Sequence, residues 1–460
     1  MSDFHIYNVV ACLCSLIIRS CSEDFFVKYS CVSHGELKRG LQIIKNNIPL
    51  LFDGKKIIKL KKEQIQEQLI NALEQLIDDL ADDKDYYCLM TLATVLDEAL
   101  SDMLLDEIEY FQKDSFTTVL NTNRETVGIG LLPRCSCVWE RKMRLSHCYN
   151  RMDNFMYNFL IMENTILGEL IDKHIFLSED VFPNFKEKHS LKIAASPLCL
   201  ERPFKFVYFS DDKVQYVSVE YFDEENKAVN ELIWKKILIS AKKKCDIVVF
   251  PEVMGNKDTE NFIINKIKAL PENEQNRLPS FIVLPSFFSE KSNTVTVIDK
   301  WGRIIAKQKK QNPFREIIGS NSYLEQITPS LVVNIFHYEG IGRIAVLICK
   351  DFLTTKYLEQ LMRCFKLTLI IVPSFSTGSY DFVQSFDICA HDDCNVVWIN
   401  TCAALEPGKE ENFEHIGYVR KRIGKYDDKN QKLCEMSSCP GFKDKKCNRD
   451  CLFFEKITEV

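Results

Sequence analysis

Three residues of complementary chemistry stand at the ends of three apolar runs. "CDIVVFPE" (245–252) delivers Glu252 directly after Pro251. "NTVTVIDKWGRIIAKQKK" (293–310) turns at Gly302 and runs out into Lys309 and Lys310. "GRIAVLIC" (342–349) ends on Cys349, with Lys350 and Asp351 next. Singly, each has a plain explanation: a solvated loop glutamate, a surface lysine pair, and a core thiol, because free cysteine is among the most buried residue types. Together they are a carboxylate base, a cation able to stabilise an oxyanion, and a sulfur nucleophile. Those are the parts that acyl transfer from an amide or nitrile carbon needs.

The elements that must hold them follow from the apolar pattern. From about residue 210, short runs rich in β-branched and aromatic residues recur: "VQYVSVEYF", "CDIVVF", "SFIVLP", "NTVTVID", "GRIAVLIC", "LTLIIVPS" and "NVVWIN". Helical stretches at 225–243, 256–269 and 353–365 separate several of them, which predicts an α/β domain over 210–460. In such sheets function gathers at the carboxyl ends of strands, where Glu252 and Cys349 fall. Residues 1–195 read as a mainly α-helical region. Ile65, Leu69, Leu73 and Leu76 form an amphipathic stripe, the pattern continues through 85–111, and a third helix is expected over roughly 141–173.

The order and wording of these ends resemble the nitrilase (carbon–nitrogen hydrolase) superfamily over about residues 210–460. Phe250-Pro251-Glu252 matches its glutamate context, and the run from Gly342 to Cys349 with Asp351 matches its cysteine strand. Asn293, nine before Gly302, and Lys310, eight after it, match its hairpin, which selects Lys310 over Lys307 and Lys309. "LIIVPS" (369–374) and "NVVWIN" (395–400) resemble the strands that follow. The resemblance implies an α-β-β-α sandwich in which Glu252, Lys310 and Cys349 form a catalytic triad working through a thioester. It also implies an oxyanion contact from the Lys350 backbone N–H and a homo-oligomer. A second glutamate normally supports the triad, for which Glu316 and Glu325 are the candidates. Lys350 stands where members often carry an aromatic or acidic residue. The implied substrate is a small amide, ureido compound or nitrile, with no cofactor for catalysis. The alternative is a nitrilase-fold interaction or regulatory module of a multicomponent, defence-type system, with little or no catalysis.

Composition sets the remaining bounds. With 46% hydrophobic and 27% charged residues the chain has an ordinary globular make-up, and a net charge of −6 gives no field that points to nucleic acid. The apolar stretch "VVACLCSLII" (9–18) has ten residues against the roughly 20 a spanning helix needs, so no membrane role is expected. The 19 cysteines, without a secretion signal, read as reduced thiols of a cytoplasmic protein. Four of them, Cys434, Cys439, Cys447 and Cys451, are spaced C-x4-C-x7-C-x3-C around a Pro-Gly turn and are either a structural zinc knuckle or unligated thiols. Cys135, Cys137, His147 and Cys148 are a weaker metal set, His391 is left unassigned, and the helical region is a candidate for binding a protein partner.

Overall fold

The computed structural model describes residues 3–114, 117–140, 151–183, 185–199, 201–405, 415–421, 431–435 and 451–458. The first part is helical because its apolar residues repeat at three and four. In Glu67–Asp82 the residues Leu69, Leu73, Leu76 and Leu80 are buried, and they meet Leu89, Leu92 and Leu96 of Tyr86–Ala99 in one core. Asp85 caps the second of these helices by accepting from the Cys88 N–H.

The helix expected over 141–173 does not form among the described residues. Phe159–Glu163 is a strand paired antiparallel with Ile129–Pro133, and Ile171–Phe176 is a strand of a main sheet. The run "FLIM" (159–162) is apolar at every position, and periodicity alone does not distinguish a strand buried on both faces from a helix. Gly168, at φ +60°, separates the two strands.

The rest is an α-β-β-α sandwich. One seven-stranded sheet runs in the order Phe287–Ser289, Ser292–Ile298, Phe281–Val283, Ile247–Val249, Ser190–Ala195, Phe453–Thr458, with Ile304–Lys309 paired to Ser292–Ile298. The other runs Gln431–Glu435, His415–Arg420, Asn395–Ile399, Leu369–Pro373, Gly342–Val346, Val332–Tyr338, Ile171–Phe176. The sandwich thus takes two strands, Ile171–Phe176 and Ser190–Ala195, from ahead of residue 210. The change of texture there marks where strands begin to alternate with helices, not where the sheets begin.

Alternation explains the layers. Ile247, Val249, Phe281, Val283, Val295 and Val297 share a core with Val333 and Ile335 of the facing sheet. Their neighbours Val248, Phe250, Ile282 and Leu284 point the other way, onto Ile233, Ile237, Ile263 and Ile267 of helices Asp223–Lys242 and Thr259–Lys268. Leu358 and Leu361 of Thr355–Phe365, with Phe382 and Phe386 of Tyr380–His391, cover the other sheet.

Gly342, which opens the strand leading to Cys349, is held at φ +87°, and a Cβ there would meet Thr368 Oγ1 at 2.7 Å. Gly342→Ala combines left-handed strain with overpacking and is expected to cost about 2–5 kcal/mol of stability, read from urea unfolding. A loss under about 0.5 kcal/mol, the level of an ordinary surface change, would contradict this account.

Candidate active site

Glu252 follows the Ile247–Val249 strand after Pro251, which cannot extend the hydrogen-bond ladder. Its carboxylate is 2% exposed and fully engaged. Oε1 accepts from Asn293 Nδ2 and Lys310 Nζ, both at 2.8 Å, and Oε2 accepts from the Phe375 N–H at 2.9 Å. Lys310 stands one residue past the Ile304–Lys309 strand, and its own N–H is held by the Asn293 carbonyl at 2.8 Å. Its ammonium, 1% exposed, reaches Glu325 Oε2 at 2.7 Å as well as Glu252, and lies 5.3 Å from the centre of the Phe314 ring.

Cys349 closes the group. Its strand keeps pairing beyond Val346, with the Leu347 and Cys349 N–H groups donating to the Ile371 and Pro373 carbonyls. The backbone then turns sharply at Cys349, at φ +46° and ψ −99°, into the short helix Lys350–Leu353. A non-glycine residue there costs of order 1–3 kcal/mol and persists only where its surroundings enforce it. The thiol sits 3.8 Å from the carbonyl of Phe375, the residue whose N–H binds Glu252. The Lys350 N–H is at the first position of the helix, among the donors that a helix start leaves without an intrahelical partner. The Lys350 side chain is half-buried.

The electrostatics follow from two carboxylates sharing one ammonium out of water. Burial opposes the charge on Lys310, but Glu252 and Glu325 outweigh it and hold its pKa well above the usual lysine value. Burial raises the Glu252 pKa, Lys310 pulls it down, Glu325 pushes it up, and the net direction is up. The Cys349 thiol is also raised, by burial first and then by Glu252, with Lys310 acting against them. The resting site therefore holds a protonated thiol beside a carboxylate of raised basicity, which suits general-base transfer of the thiol proton.

The structure separates the two candidate supporting glutamates. Glu325, 4% exposed, accepts from Lys310, Asn293 and the Phe314 N–H. Glu316 belongs to the same four-stranded sheet as Glu325, made of Phe204–Asp211, Val214–Tyr221, Asn321–Glu325 and Arg315–Ile318, but accepts from the Tyr208 hydroxyl at 3.0 Å instead. Sequence reading did not give Asn293 its part, donating to both glutamates, or Phe375 its own. The Asn–Gly–Lys spacing was the available signal for the first. The second is a backbone amide and leaves no trace in residue types.

Among the described residues no group of three or more His, Cys, Asp or Glu side chains is arranged to hold a metal ion. Of the zinc candidates, Cys439 and Cys447 lie outside the described residues, as does the Cys434 side chain, while the Cys451 carbonyl accepts from Ser196 Oγ and Lys236 Nζ. His147 and Cys148 also lie outside them, and Cys135 and Cys137 are buried and in no disulfide. No helix among the described residues is long and apolar enough to cross a membrane.

No family model matches the sequence, and no curated protein matches it. Solved structures do. The NitFhit protein of C. elegans aligns at 16% identity and a TM-score of 0.37 over 59% of this chain, which spans 61% of that protein. An amidase from Nesterenkonia sp. aligns at 13% identity and a TM-score of 0.38, over 59% of this chain and 91% of its own. A variant of the Nesterenkonia AN1 amidase, described as from the nitrilase superfamily, gives the same identity and score. The chain is thus similar in part to nitrilase-superfamily amidases.

Removing the shared cation has a pH-dependent cost. Lys310→Met leaves Glu252 and Glu325 buried and facing each other, which is expected to destabilise by about 3–5 kcal/mol at pH 8. Because burial and Glu325 raise the Glu252 pKa, the folded chain holds that proton more tightly than the unfolded one, and this contribution to stability is lost as pH rises through the folded value. The variant's deficit should therefore shrink at pH 5, where one carboxyl takes up a proton. Urea unfolding at both pH values checks this, and an equal deficit at each would refute it.

Proposed function

We propose that the chain is a thiol hydrolase of non-peptide carbon–nitrogen bonds, acting on a small amide, ureido compound or nitrile. The observation that carries this reading is the Lys310 ammonium, buried between Glu252 and Glu325 and in electrostatic reach of a thiol held on a strained turn. For an amide, Glu252 takes the Cys349 proton as sulfur attacks the carbonyl carbon. Lys310 and the Lys350 N–H stabilise the oxyanion. Collapse breaks the C–N bond, the leaving nitrogen takes the proton from Glu252, and a thioester remains. Glu252 then activates water, which releases the acid and restores the thiol.

The cysteines of the described residues that are free thiols, Cys349 among them, support a reducing, cytoplasmic setting. The same reading takes the protein as a homo-oligomer whose helical region is open to a partner. Catalysis needs no metal. Zinc on Cys434, Cys439, Cys447 and Cys451 would be structural, and metal analysis of chelator-washed protein decides it: about one equivalent supports the site and a trace excludes it.

Turnover of a panel of amides, ureido compounds and nitriles, with iodoacetamide labelling of the thiols, tests the reading. Cys349→Ala should abolish turnover, and Glu252→Gln should lower it by about 100- to 10,000-fold. Cys349 should also label faster than the other cysteines, in a Glu252-dependent way. If Cys349 labels no faster than they do and Glu252→Gln changes nothing, the chain is better read as an interaction module on this fold.

A further inference from the structure

The proposed triad is divided between two sheets. Glu252 and Lys310 come from strands of one, Cys349 from a strand of the other. Gln308 ties the Lys310 strand to Val332 and Asn334 of the facing sheet, and beyond that point further directional contacts must fix the distance between the cation and the sulfur. One clasp is the Glu252 carboxylate itself, bound to the Phe375 N–H beyond the Leu369–Pro373 strand. The second does not involve the triad side chains.

Asp351, two residues past Cys349, is 1% exposed. A first-turn aspartate ordinarily accepts from the amides of its own helix or stays in solvent. This one reaches across to the chain segment that leaves Lys310. Its Oδ1 accepts from the Asn312 N–H at 2.7 Å, the Asn312 side-chain Nδ2 at 2.9 Å and the Gln311 N–H at 3.1 Å. Those amides are the first two past Lys310, where the chain has left its ladder. Burial pushes the Asp351 pKa up to about 6, against the pull of the Asn312 side chain, the two N–H groups and the Lys310 charge. The other titratable group it faces is Tyr357, from the helix that follows. At neutral pH Asp351 is mainly ionised, so the contacts are charge-assisted.

We propose that Asp351 is a positioning residue that sets the spacing of the Lys310 ammonium from Cys349 Sγ by binding the Gln311 and Asn312 amides across the two sheets. This rests on the thiol-hydrolase reading of the site. The cysteine turn and the cation-bearing strand end then move as one unit, and a shift of about 1 Å in such an arrangement is worth about 100-fold in rate.

The test is the iodoacetamide labelling rate of Cys349, followed by peptide mass spectrometry in the full chain. Asp351→Ala should slow it by about 10- to 100-fold, as Lys310 loses its place beside the sulfur. Asp351→Asn keeps an acceptor oxygen for the two amides and should restore the rate to within about threefold of the natural protein. Asn312→Ala, which removes Nδ2, one of the three donors to Asp351, and leaves the two backbone N–H groups, should slow labelling by a smaller but measurable factor even if Asp351→Ala does not fold. Ile344→Ala, a core change on the cysteine strand, is the control for lost stability and should leave the rate within the same threefold. Equal rates for Asp351→Ala and Asp351→Asn, or for Asn312→Ala and the natural protein, overturn the assignment, as does an equal slowing by Ile344→Ala. Failure of the hydrolase reading shows separately, in the natural protein, as Cys349 labelling no faster than the other thiols.

Discussion

Everything at the candidate site depends on one buried ammonium shared by two buried carboxylates. An isolated Lys310 charge could not be kept from water at 1% exposure, and neither could Glu252 or Glu325. Their mutual contacts at 2.7 and 2.8 Å make the burial tolerable, and Asn293 and two backbone N–H groups satisfy further carboxylate lone pairs. With two negative charges against one positive, the balance is tight. That imbalance underlies the raised basicity of Glu252.

This electrostatic demand dictates what the surrounding elements do. The strand before Glu252 must stop, and Pro251 ends its ladder. The strand before Lys310 must turn away at once, and its freed amides are taken up by Asp351 instead of water. The four-stranded sheet brings Glu325 in, through pairing of Leu324 and Glu325 with Tyr216 and Val217. Strain at Cys349 is tolerable because both sides of the turn are fastened, by the strand ladder behind it and the Asp351 contacts ahead of it.

The helical region is joined to the sandwich by buried polar contacts as well as by apolar packing. Arg343, fully buried in the cysteine strand, donates to the Cys135 carbonyl and pairs with Glu140. Lys366 pairs with Asp153. Arg124 binds Asp172, which meets His174 on the same strand, and His174 meets His337 across the strand pair that closes the sheet edge. Such groups lose far more when a partner is removed than apolar contacts do, so they fix one arrangement of the region on the sheet.

Local residue pattern sufficed for several features. The strand–helix alternation after residue 210, the hairpin at Gly302 and the placing of Glu252, Lys310 and Cys349 at strand ends were legible because period-two burial and turn residues are written in neighbouring positions. The mistaken helix near 141–173 shows the limit: "FLIM" is buried on every side, and a run with no polar face carries no period. The choice between Glu316 and Glu325 shows a second. They sit on one hairpin, in similar wording, and only the packing of that hairpin brings one of them to Lys310. Residue types and their spacing set which chemical groups are present and which elements carry them. Tertiary structure alone decided their partners, because a buried charge selects its neighbours through space, from strands that are distant along the chain.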